Sequence, residues 1–229
     1  MATYLIDMTP ADMRRRLPEA LNIYVDAMRY PRGTESQRAS MWLEHTGRHG
    51  WRAVAAVEVD LPTEGSGPTE GSGPTEGSGP TVGSGPTVGS GPTVGSGTTE
   101  ELAAASLLGV AYGYRGAPDQ WWQQQVIRGL HQMGFPREET ARLMGDYFEL
   151  TELHIAPDAQ GRGLGEALAR RLLTDRDEAN VLLSTPETNG EANRAWRLYR
   201  RLGFTDIIRG YHFSGDPRAF AILGRTLPL

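Results

Sequence analysis

The sequence predicts an α/β domain with a mixed central sheet flanked by helices, on three observations. Seven short apolar or alternating stretches read as strands, amphipathic stretches of helical spacing lie between them, and one glycine-rich turn joins a strand to a helix. The chain has 229 residues, enough for one full core, and its hydrophobic share of 38% is diluted by a polar repeat. There is no cysteine, so disulfides, thiolate metal sites and a cysteine nucleophile are excluded. The first residues, Met-Ala-Thr-Tyr-Leu-Ile-Asp, place an acid in an apolar run without a basic start, unlike a signal peptide. No stretch approaches the length of a membrane span, so a cytoplasmic protein with no membrane partner is expected. The net charge of −5 argues against nucleic acid as a partner.

Thr3 to Met8 is the first predicted strand. Thr9 then caps a helix with Pro10 at its first position, and Leu17, Leu21, Tyr24 and Val25 form its apolar stripe down to about Met28. A second helix is predicted from Thr34 to His45, carrying Met41 and Trp42. Trp51 to Val59 and Ala104 to Arg115 are the next two strands. Between them, residues 62–97 are six copies of a hexapeptide, three of Pro-Thr-Glu-Gly-Ser-Gly and three of Pro-Thr-Val-Gly-Ser-Gly. A stacked solenoid needs an aliphatic residue at one inward position of every coil, and Glu occupies that position in the first three copies. A flexible loop is therefore expected, and lengthening a hairpin tip sixfold costs only about 1.6 kcal/mol of closure entropy.

Residues 117–145 form a second insertion, predicted as two helices. The first opens at Pro118-Asp119-Gln120-Trp121-Trp122, with Trp122, Val126 and Leu130 four apart, and ends at Gly134 and Pro136. The second runs from Glu138 to Met144. Adjacent Trp121 and Trp122 cannot share one helix face, so one of them is exposed or covered by something else. The pair could serve as a lid, a structural cap or a subunit interface, the last leaving a homodimer open.

Tyr147 to Ile155 is the central strand, closed by Pro157 and Asp158. Gly161, Gly163 and Gly165 follow, leading into a helix with Leu164, Leu168 and Leu172 on one stripe and Arg170 and Arg171 near its end. Such a turn offers backbone N–H groups without intrahelical partners and is an anion site, most naturally for phosphate. A P-loop would need Lys followed by Ser or Thr where Glu166 and Ala167 stand, and a dinucleotide fingerprint would need glycine at Glu166. Downstream, Val181 to Ser184 is a short buried strand and Glu191 to Leu202 the last helix, with Ala195, Leu198, Tyr199 and Leu202 inward and a stop at Gly203-Phe204. Phe204 to Tyr211 and Ala219 to Thr226 complete the sheet.

Gln160-Gly161-Arg162-Gly163-Leu164-Gly165 resembles the Gln/Arg-x-x-Gly-x-Gly/Ala signature of the GNAT superfamily of N-acetyltransferases, with the strand and Pro157 in the expected places before it. Asn193, Ala195, Tyr199 and Gly203-Phe204 resemble that superfamily's second motif, with Asn193 one place closer to Tyr199 than the pattern has it. The resemblance implies a single GNAT domain over 1–229, with a mixed sheet of about six to seven strands. It implies acetyl-CoA as acyl donor, its pyrophosphate on the backbone N–H groups of Gln160 to Gly165, with Leu153, His154, Ile155 and Asn193 also on the cofactor side. No metal is implied, and the histidines show no metal spacing. The first two helices, with Tyr30, Arg32 and Trp42, are implied to line the acceptor side.

The acceptor would be a primary amine, on a protein lysine or a small molecule. A lysine-like amine of pKa about 10.4 is protonated at pH 7, and removing its proton costs roughly 4.6 kcal/mol, so a base is needed. Glu149 and Glu152 are the candidates on the central strand; three apart, they should face opposite sides, leaving one as the base. Tyr199 matches the position from which the family protonates the departing thiolate. A backbone N–H around His154 to Ala156 is expected to meet the oxyanion, and His154 could relay protons. Without a cysteine or a Gly-x-Ser-x-Gly elbow, direct transfer in a ternary complex is expected. The alternative is an inactive CoA-binding sensor or interaction module. All 23 basic residues are arginine, which fits either codon bias in a GC-rich genome or a lysine acetylase that avoids modifying itself.

Overall fold

The structure, a computed structural model, describes residues 1–59, 105–188 and 193–229. The hexapeptide repeat lies outside them. Seven strands, β1 (Ala2–Met8), β2 (Arg52–Val59), β3 (Ser106–Arg115), β4 (Tyr147–Ile155), β5 (Asn180–Pro186), β6 (Thr205–Tyr211) and β7 (Phe220–Thr226), form one sheet in the order β1-β2-β3-β4-β5-β7-β6. All neighbours are antiparallel except β4 and β5. That parallel pair is joined only at Tyr147↔Asn180, Phe148↔Val181 and Glu149↔Leu182. Beyond those residues β4 and β5 part, and the sheet opens as a wedge.

Helices α1 (Pro10–Met28) and α2 (Thr34–His45) cover one face over β1 to β4, with Met13, Leu17, Tyr24 and Trp42 packed on Ala53, Ala55, Val110 and Tyr112. Thr9 and Asp12 form a reciprocal capping box that starts α1. The helices of the second insertion, α3 (Trp121–Gln132) and α4 (Arg137–Gly145), cover the same face farther along, over β5 to β7. Trp122, Val126 and Leu130 turn inward, and the Trp122 indole donates to Ser184 Oγ at 3.1 Å. Trp121 remains 52% exposed, with its ring 5.6 Å from Phe213. The apolar stripe thus makes this pair a cap on the sheet, and a seam separates it from α1 and α2. The opposite face carries α5 (Leu164–Leu173) and α6 (Arg194–Arg201), whose apolar sides bury Val54, Ala111, Phe148, Leu150 and Leu183. Residues 189–192, including the predicted start of the last helix at Glu191, lie outside the described residues. Among the described residues no helix is long and apolar enough to cross a membrane.

Candidate active site

The glycine-rich turn sits at the open end of the wedge. Gly161 and Gly163 have φ of 87° and 81°, backbone that an L side chain resists, and a Cβ on either would meet nothing within 4 Å. Gly163 is the N-cap of α5, with no side chain satisfying the first N–H groups. The turn therefore presents donors without partners among the described residues, at a helix N-terminus with open space in front, as an anion needs. Gly165, expected before the helix, lies within its first turn; a Cβ there would come 3.2 Å from Leu198 Cδ2, so this glycine serves close packing of α5 on α6.

Side chains of the motif brace the turn. Gln160 donates to the Ile155 carbonyl at 3.2 Å and accepts from Arg194 at 3.1 Å, tying the last residue of β4 to the first residue of α6 across the gap. Arg162 turns toward β2, where it meets Glu58 at 3.1 Å. Asn193 caps α6, its side-chain oxygen accepting from the Ala195 N–H at 2.9 Å. The side-chain oxygen of Asn193 is thus spent on the helix.

The expectation that Glu149 and Glu152 face opposite sides is overturned by a β-bulge. Tyr112 pairs with Glu152 but Gly113 pairs with Leu150, so Thr151 is an extra residue without a partner on β3. The inserted residue restores the phase, and both acids share the face of Tyr112 and Tyr114. The bulge is built for glycine: a Cβ on Gly113 would lie 2.1 Å from the Glu149 carbonyl oxygen. Glu149 lies between the two helical pairs, beside Tyr114 of one cluster and Tyr147 of the other, and Glu152 lies on the α1 and α2 side, beside His154 and Tyr24.

Their surroundings differ. Glu149 sits at the last paired position before the wedge and is 4% exposed. Its Oε1 accepts from the Tyr114 hydroxyl at 3.3 Å, while Oε2 is buried without a partner among the described residues. Burial pushes its pKa up to about 8, against the opposing charge of Arg48 and the hydrogen bonds from Tyr114 and Thr151. Glu152, three residues on, is held by His154 at 2.6 Å (Oε2 to Nε2). The His154 ring lies edge to face with Tyr24 at 5.0 Å and stacks on Trp42 at 6.4 Å. His45, bonded to the Tyr112 hydroxyl at 3.1 Å, is pushed down to about 3 by burial and then by Arg48 and Arg38, so it is neutral at working pH.

Tyr199 approaches the wedge from the other face. Trp196, buried and absent from the predicted inner face, donates to the Pro186 carbonyl at 3.2 Å and fixes α6 to the end of β5. The helix closes with Gly203 N–H to Arg200 O and Phe204 N–H to Tyr199 O, both 3.0 Å. The Tyr199 hydroxyl has no hydrogen bond among the described residues; burial raises its pKa, and the negative charge of Glu152 adds to this. That influence crosses the sheet where β4 and β5 have parted. Of the backbone donors expected around His154 to Ala156, the Ala156 N–H is already used by Leu108 O at 2.8 Å. Strand alternation turns the N–H groups of Leu153 and Ile155 the other way, toward the gap.

The comparisons with known proteins agree with this architecture. A family model described as an acetyltransferase (GNAT) domain matches residues 123–206. The chain is 65% identical over 229 residues to the GCN5-like protein acetyltransferase Rv2170 of Mycobacterium tuberculosis (strain ATCC 25618 / H37Rv), covering 100% of both chains. Arabidopsis thaliana NAA60 in complex with acetyl-CoA shares the fold, with a TM-score of 0.54, 16% identity and 99% of each chain covered. A GNAT-family protein of Desulfovibrio desulfuricans gives a TM-score of 0.55 at 13% identity, covering 98% of this chain and 99% of that one. The chain belongs to the GNAT acetyltransferases and is an acetyl-CoA-dependent acyltransferase.

Proposed function

We propose that the protein transfers the acetyl group of acetyl-CoA directly to a primary amine, a protein lysine side chain in the first place, with Glu149 as general base. The carrying observation is the buried Glu149 carboxyl where β4 and β5 part, with one oxygen unpartnered among the described residues. The name of the 65% identical relative, a protein acetyltransferase, supports a protein acceptor. In this reading the pyrophosphate lies on the N–H groups of the turn from Gln160 to Gly165 and the thioester enters the wedge beside Leu153 and Ile155. The amine arrives along the seam, attacks the thioester carbonyl and loses a proton to Glu149. Tyr199 hydrogen-bonds the sulfur and gives its proton as the thiolate leaves, completing acetyl transfer.

Magnitudes favour Glu149. A carboxylate of ordinary pKa near 4.3 would take a proton from a lysine amine uphill by about 8 kcal/mol. With the pKa at about 8 the transfer costs roughly 3 kcal/mol, and ionising the group first at pH 7 adds only about 1.4 kcal/mol. Glu152, bonded to His154, then serves as a fixed negative charge that attracts the ammonium group. The test is the pH dependence of kcat/KM for acetylation of a lysine peptide. The intact protein should gain activity with pH and level off near 8; Glu149→Gln should lose more than about a hundredfold and that inflection, whereas Glu152→Gln should keep it. An inflection that survives in Glu149→Gln and disappears in Glu152→Gln would assign the base to Glu152 instead.

A further inference from the structure

Arg38, on the same stripe of α2 as the buried Trp42 and His45, is a half-buried guanidinium with no carboxylate or carbonyl partner among the described residues; its one hydrogen bond is to Met41 Sδ at 3.7 Å. Its Cζ lies 5.7 Å from the centre of the Tyr24 ring, and Tyr24 in turn meets His154, which holds Glu152. The cation is thus one aromatic ring removed from the proposed acceptor site. Its charge also reaches His45, Tyr112 and, on the β6–β7 connection, Asp216. Asp216 and the acids of the α1–α2 segment have partners of their own. Asp216 is held by Arg218, which also bonds the Tyr30 hydroxyl, Asp26 is paired with Arg32, and Glu35 accepts from the Gly33 N–H.

A partly buried, unmatched guanidinium costs desolvation that a carboxylate ligand would offset, with bidentate geometry available to it. It also repels an amine that brings no compensating negative charge, which is selection by exclusion. Resting on the reading of the seam as the acceptor site, we infer that Arg38 selects acceptor amines that carry a carboxylate beyond the aliphatic chain bearing the reacting nitrogen. Glu149 and Glu152 receive the ammonium end of such an acceptor and Arg38 its anionic end. Four methylenes separate a lysine amine from its backbone, so an acidic residue flanking the lysine in a protein and the free carboxylate of a small amino acid both present this chemistry.

The test uses two acceptor pairs that differ by a single charge: a lysine peptide with Asp or with Asn beside the lysine, and Nα-acetyl-lysine against its methylamide. Release of the CoA thiol is followed in the intact protein, Arg38→Gln and Arg38→Lys. The intact protein should prefer the charged member of at least one pair by roughly ten- to a hundredfold in kcat/KM, mostly through KM. The pair that shows the preference identifies the source of the carboxylate. Arg38→Gln should abolish the preference and Arg38→Lys should retain part of it, which a merely structural role for Arg38 would not produce. Equal rates within both pairs, or a preference unchanged in Arg38→Gln, would overturn the assignment while leaving the acetyl transfer to amines intact. Absence of acetylation of all four acceptors would overturn both readings.

Discussion

Glu149 is a buried carboxyl whose environment raises its proton affinity, and this has a consequence for stability as well as for rate. Its pKa is about 8 in the folded chain against 4.5 when solvated. The folded state holds the proton more tightly, so the stabilisation is complete below pH 4.5 and is lost as pH rises through 8. Glu149→Gln keeps a neutral side chain of the same shape. It should therefore lose far less stability than the parent protein between pH 5 and pH 9, by on the order of 3 kcal/mol, as measured by urea unfolding at several pH values. Parallel pH dependence in the two proteins would place the carboxyl in contact with solvent. At this scale the sequence was readable for residue types and less so for partners. Glu149 lies at the edge of the wedge, and the bulge puts Glu152 on the same face, which the three-residue spacing of the two acids does not suggest. Arg38 and Trp196 were not singled out, although Trp196 lies three residues before Tyr199 and so on its helical face.

At the scale of elements, the bulge in β4 brings the acids together. Thr151 looks like any other strand residue, and strict alternation therefore assigned Glu149 and Glu152 to opposite faces. The signal was on the neighbouring strand: Gly109 and Gly113 both interrupt β3, and glycine within a strand marks bulges and close backbone approaches. Gly113→Ala should force the Glu149 carbonyl away and cost roughly 2 kcal/mol or more, with a larger loss of kcat than of stability alone. Thermal unfolding and kinetics on the same sample check this; a variant with native kcat would show that the bulge does not depend on this glycine. Helix limits were legible because α1 and α2 begin and end where the Thr9 cap, Pro10 and the apolar spacing put them. The tryptophan pair resolved as its adjacency required, Trp122 inward and Trp121 outward.

Across the whole molecule, the site exists because two halves of one sheet separate. β4 and β5 are parallel neighbours for three residues and then diverge, while Gln160 bridges the gap between Ile155 and Arg194. The glycine-rich turn lies at the open end of that gap, with the two acids on one face of the sheet and Tyr199 on the other. No local stretch of sequence encodes the divergence, which depends on β5 taking β7 as its partner along its full length. What the sequence did carry was the turn itself, whose glycine spacing separated an acyl-CoA signature from the other phosphate-binding loops. This turn is the proposed seat of the donor. Calorimetric titration of acetyl-CoA into the intact protein and into Gly163→Val tests it most directly, with unfolding curves showing that the variant is folded. Gly163 has φ of 81° and open space in front, so a branched side chain strains the turn and displaces its N–H groups without meeting the core. Binding by the intact protein, weakened at least about tenfold in the variant, is the predicted result. Equal affinity in the two proteins, or no binding by the intact one, would contradict the placement of the donor and the catalytic geometry derived from it.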